Sequence, residues 1–77
     1  MPAATKSEAK VLEMLSTAER GFVEIESVRA KSYSRGRRLY LAAIGLETAG
    51  KVEIVQRRET RDGRWTHSYL LVRAANT

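Results

Sequence analysis

The chain has no cysteine, which excludes a disulfide framework and any thiolate metal site and fits a reducing compartment. Its one histidine, His67, has no Asp or Glu at ligand spacing, so it reads as an ordinary strand residue and no metal is expected. No apolar run approaches the ~18 residues of a membrane span, and the opening MPAATKSEAK lacks the apolar centre of a signal peptide. A soluble, cytoplasmic protein is therefore expected. There is no nucleophile, base and orienter set, no paired carboxylate site and no Gly-rich phosphate loop, and 77 residues leave little room for a substrate pocket. Neither an enzyme nor a cofactor is expected. Internal repeats and low-complexity segments are absent as well.

What is present is charge, and it is segregated. The net charge is +5. Residues 1–27 hold three bases against five acids, whereas residues 28–77 hold eleven bases against four acids. A basic excess collected on one part of a small domain favours a directed anion-binding surface, and the obvious polyanion is nucleic acid. The chain is long enough for one domain with a modest core, to which a second subunit would add burial.

Residues 1–4 have nothing to pack and are expected to form a disordered tail. Thr5 with Glu8 three residues later makes a capping box, so a helix should follow. Val11, Leu12, Leu15 and Ala18 recur at helical spacing, Met14 widens that stripe, and Gly21 suits a left-handed helix end. Phe22 to Glu24 reads as a brief strand, and Ile25 to Lys31 as a helix of at most two turns with Val28 inward. Ser32-Tyr33-Ser34 reads as a turn, with Ser34 or Ser32 as the N-cap of the next helix.

That helix, residues 34–49, carries Arg35, Arg37 and Arg38 at its start. Leu39, Ala42, Ala43 and Leu46 lie along its core face, with Tyr40, Leu41 and Ile44 outside that stripe. Gly36 lowers helix propensity there, either as a junction or to let backbone approach a phosphate. Val52 to Arg58 and Arg64 to Arg73 then pair as strands around Thr60-Arg61-Asp62-Gly63, where Asp-Gly is a strong hairpin signal. Val52, Ile54, Tyr69 and Leu71 are expected inward near the base, and Arg57, Arg58, Arg61 and Arg64 gather toward the tip. Trp65 could stack on a base or sugar, or pair across the hairpin. Ala74 to Thr77 reads as a tail.

The order helix, short strand, short helix, basic helix, hairpin resembles the winged helix-turn-helix domain of bacterial and archaeal transcription regulators. The most specific stretch is Leu46-Glu47-Thr48-Ala49-Gly50-Lys51-Val52, which looks like the junction where such recognition helices hand over to the wing. The second helix departs from the usual pattern. The resemblance implies an α+β winged helix-turn-helix domain over residues 5–73, with three helices followed by a two-stranded wing. It also implies a small transcriptional regulator that binds double-stranded DNA, with helix 34–49 in the major groove and wing 57–64 on adjacent backbone or minor groove.

On that reading the DNA-contacting residues are Tyr33, Ser34, Arg35, Arg37, Arg38, Arg57, Arg58, Arg61 and Arg64. Apolar surface around Met14, Leu41 and Ile44 suggests a homodimer. The competing readings are a winged-helix module that binds a protein through Tyr40, Leu41 and Ile44, and an RNA-binding protein.

Overall fold

The computed structural model of the protein describes residues 5–75; the tail expected at residues 1–4 lies outside them, as do residues 76–77. The elements are α1 (Lys6–Thr17), β1 (Phe22–Ala30), β2 (Tyr33–Arg35), α2 (Arg37–Thr48), β3 (Val52–Asp62) and β4 (Trp65–Ala74). The strands form one antiparallel sheet in the order β2-β1-β4-β3. This corrects the expected architecture. Two helices and a four-stranded antiparallel sheet stand where three helices and a wing were expected, so the fold is α+β but not a winged helix-turn-helix.

The capping box forms as its residues dictate. The Thr5 amide donates to the Glu8 carboxylate at 2.9 Å, and the Glu8 amide donates to the Thr5 hydroxyl at 3.1 Å. The helix stops at Thr17, with Gly21 (φ 75°) in the turn that follows rather than at its end.

The short helix expected over residues 25–31 is the second half of β1. Its side chains alternate: Val23, Ile25 and Ser27 face the helices, opposite Val72, Leu70 and Ser68 of β4. The apolar spacing of Ile25 and Val28 that suggested a helix arises because the two residues are buried on opposite faces of the sheet. The expected turn at Ser32-Tyr33-Ser34 likewise moves back to Lys31-Ser32, and Tyr33–Arg35 is strand β2, in register with Ala30 to Val28.

Neither serine caps α2. Its N-cap is Gly36 in the left-handed region, φ 75°, with no side-chain cap. A Cβ at Gly36 would lie 2.2 Å from the Glu26 carbonyl oxygen, so the chain can pass from β2 into the helix only where no side chain stands between them. At the other end the Lys51 amide donates to the Leu46 carbonyl at 2.9 Å and the Gly50 amide to that of Glu47 at 3.0 Å. This is the Schellman pairing, with Gly50 at φ 75° supplying the left-handed residue.

Both helices cover one face of the sheet, toward the end where β1 begins and β4 finishes. The core there comprises Val11 of α1, Ala42, Ala43 and Leu46 of α2, and Ile25, Val52, Leu70 and Val72 of the sheet. Tyr69 and Leu71, expected inward, face the other side, because Leu70 and Val72 are the fully buried pair. Ala74 ends β4 rather than starting a tail, and the Ala75 amide donates to the Lys51 carbonyl at 3.2 Å.

The hairpin β3–β4 closes on the two-residue loop Gly63-Arg64, later than the turn expected at Thr60 to Gly63, because Thr60, Arg61 and Asp62 still pair with β4. Gly63 has positive φ (59°) and Arg64 does not, the pattern of a type II′ turn. At Val55 the register slips by one residue, as in a β-bulge: Ile54 pairs with Val72 and Gln56 with Leu71. Beyond that point Arg57, Glu59 and Arg61 lie on the helix side, and Gln56, Arg58, Thr60 and Asp62 on the open side.

Two glycines with the same φ but different surroundings test the junction. Gly36→Ala should cost at least about 2 kcal/mol, since left-handed strain adds to a clash with backbone that cannot move aside. Gly50→Ala, with nothing within 4 Å, should cost only the strain, about 1 to 2 kcal/mol. Urea unfolding of both variants checks the order, and equal losses would show that the Glu26 backbone does not constrain the start of α2.

Candidate functional site

The arginines of the chain divide according to whether a carboxylate has claimed them. Arg57 donates to Glu47 of α2 at 2.7 Å, and the second oxygen of Glu47 accepts from the Ile54 amide at 3.3 Å, so this group fastens β3 to the helix. Arg73 makes a forked contact with Glu53 across the β3–β4 pair at 3.0 to 3.3 Å. Arg35 stands 3.7 Å from Glu26 on the open face. Arg58 lies over the Tyr69 ring, 4.8 Å from its centroid, in a cation–π contact.

At the far end of the sheet the pattern changes. The turn of the β1–β2 hairpin and the tip of the β3–β4 hairpin lie side by side, because β1 and β4 stay paired up to Arg29 and Thr66. Arg29, Lys31, Arg61 and Arg64 surround one shallow recess there, floored by Ala30 and Thr66. It opens on the helix side of the sheet, beyond the part that the helices cover. Among the described residues, none of these four cations makes an ion pair. Four like charges around one recess repel one another unless an anion sits among them.

The other face of the same hairpin ends is aromatic. Tyr33 and Trp65 meet edge to face, with centroids 5.5 Å apart and planes at 83°, and remain 49% and 37% exposed. Together with Val28, Arg35, Asp62 and His67 they line a second recess, on the open face. His67 stacks at 6.4 Å on Tyr69, its neighbour on the same side of β4. The Nδ1 atom of His67 is buried without a hydrogen-bond partner, 4.0 Å from a Glu26 carboxylate oxygen.

The nine residues expected to touch DNA are thus dispersed. Arg61 and Arg64 reach the cationic recess, and Tyr33 and Arg35 the aromatic one. Ser34 is exposed on β2 between them. Arg37 and Arg38 occupy the first turn of α2, which has no acidic residue and no side-chain cap, an unfavourable place for cations beside the positive end of a helix dipole. Arg38 lies away from the sheet, beside Glu8 and Leu41 in the groove between the helices. Arg57 and Arg58 are engaged within the fold.

Sequence reading missed Arg29 and Lys31, which join the site only because β1 is a strand. Of the apolar residues expected to drive dimerisation, Ile44 packs against the core, Met14 is half-buried and Leu41 is 48% exposed.

Arg57 is expected to matter for stability rather than for anion binding. The pair with Glu47 is partly exposed, at 54% and 34% for the two side chains, so a double-mutant cycle on Arg57→Ala and Glu47→Gln should give a coupling of about 0.2 to 1 kcal/mol. Chemical denaturation of the four proteins measures it, and a coupling near zero would mean the contact does not hold β3 to α2. The chain matches no protein-family model, and comparison with curated proteins and with solved structures finds no significant match to either.

Proposed function

We propose that the protein binds DNA through the ends of its two hairpins. The observation that carries this reading is the recess formed by Arg29, Lys31, Arg61 and Arg64, four cations without carboxylate partners among the described residues, while Arg35, Arg57 and Arg73 lie beside theirs. Such a group neutralises phosphates and releases their counterions, which supplies affinity without regard to sequence. The recess is open and shallow, as suits a backbone lying across it rather than a small molecule enclosed by it.

The contact is made by strand ends. Helix α2 turns Ala42, Ala43 and Leu46 inward and packs against α1 as well as the sheet. In this reading a paired ribbon of strands with cationic ends meets the DNA. Arg35 and the half-exposed rings of Tyr33 and Trp65 stand on the opposite face of the same ends, where a bound strand passes the edge of the sheet.

Binding of a duplex at several salt concentrations tests the reading. Removing one cation that meets a phosphate should reduce the slope of log affinity against log salt by about 0.9, so Arg61→Ala and Arg64→Ala should each flatten it by that amount, and the double variant by about twice as much. Arg57→Ala, already paired with Glu47, should leave the slope unchanged. A double variant with the unaltered slope would show that the hairpin ends do not meet the backbone.

A further inference from the structure

The cationic recess accounts for phosphates but gives no role to the second recess, on the other face of the same hairpin ends. Val28 forms its floor and is only 6% exposed, although α1 and α2 both lie on the opposite face. Tyr33, Trp65 and His67 make the walls, and the charged groups at the rim are Arg35 and Asp62. The space, about 340 Å³, lies open to solvent, so it offers room for one flat group laid against its walls rather than a ligand enclosed by them. An edge-to-face pair does not consume two ring faces on each other as a stacked pair does, so the Tyr33–Trp65 arrangement leaves π surface for a third planar group. Further along β4 this ceases, because the Arg58 guanidinium already covers the Tyr69 ring.

From this arrangement we infer that the recess takes an unpaired base of the bound DNA. The inference rests on the DNA-binding reading and adds which form of DNA the site selects. The two recesses differ in charge: four cations and no acid line one, whereas Arg35 and Asp62 offset each other at the rim of the other. A phosphate is drawn to the four cations on one face rather than to the balanced rim of the other, whereas a base offers a flat π face to the aromatic walls and N–H donors to the Asp62 carboxylate.

A paired base has neither to give, since its faces are stacked and its Watson–Crick edge is occupied. Capture therefore requires a base that is already out of the helix, at a bulge, a frayed end or in a single strand. The backbone of such a strand crosses the end of the sheet with its phosphates toward Arg29, Lys31, Arg61 and Arg64, and its base turns back over Val28.

Trp65 is the only tryptophan in the chain, so its emission reports on this recess alone. Three probes are compared at fixed salt: a fully paired duplex, the same duplex with one extra unpaired thymine, and the single strand. The unpaired probes should bind about 5- to 150-fold more tightly, the range for one base stacked on an aromatic side chain, and should quench Trp65 more than the paired duplex does.

Tyr33→Leu, which keeps apolar cover over Val28 but removes a ring, should shrink that preference, with circular dichroism confirming the fold. Trp65→Phe, which keeps a ring, should retain it. Equal binding and equal quenching by all three probes, with a salt slope that still depends on Arg61, would overturn base capture and leave the DNA reading standing. A preference that survives in folded Tyr33→Leu would overturn the recess as its location. No binding of any probe at low salt would remove both readings together.

Discussion

A helix of twelve residues is about 18 Å long, and a strand of eleven is about 36 Å, because the rise per residue is more than twice as large in the extended chain. Both recesses at the hairpin ends depend on that mismatch. The two helices can cover only part of one face of the sheet, and the described residues extend 40 Å along their longest axis. The covered part holds the core. The uncovered part is paired backbone that satisfies its own hydrogen bonds and needs no apolar cover, so its side chains are free to be cationic on one face and aromatic on the other.

The acidic residues sharpen this division. Glu47 and Glu53 neutralise Arg57 and Arg73 in the covered half, and Glu26 stands beside Arg35 at the border. Only Asp62 and Glu59 lie near the hairpin ends, and Ser68 donates to Glu59 at a long 3.5 Å. Pairing thus takes Arg57 and Arg73 out of the field, while the hairpin ends keep theirs, as do Arg37 and Arg38 at the start of α2. Partly exposed ion pairs add little stability, so their larger effect here is on where the field points.

The signals that could be read from sequence were local ones. Thr5 with Glu8 and Leu46 to Lys51 each fix their own backbone through bonds spanning a few residues, and both appear in the structure; Asp62-Gly63 marked the hairpin but placed its turn too early. What was misread depends on partners far along the chain. Tyr33-Ser34-Arg35 has no apolar alternation and follows a turn, Lys31-Ser32, with neither glycine nor asparagine, so only its pairing with Val28 to Ala30 makes it a strand. In Tyr69-Leu70-Leu71-Val72 both faces are apolar, and the pattern cannot say which pair points inward. Arg29 and Lys31 were passed over because about thirty residues separate them from Arg61 and Arg64, and a cluster closed across strands leaves no trace in spacing.

The extra residue at Val55 bears on how such a ribbon could vary among relatives. In a paired strand, gain or loss of one residue inverts the facing of everything beyond it, whereas a change of two preserves facing and alters length by roughly 6.6 Å. Lengthening the β3–β4 hairpin by two residues in each strand beyond the bulge would extend its reach while keeping cations and aromatics on their own sides. A single-residue change in the same place would carry Arg61 toward the aromatic face and Asp62 toward the cationic one. Insertions compatible with this surface therefore come in even numbers.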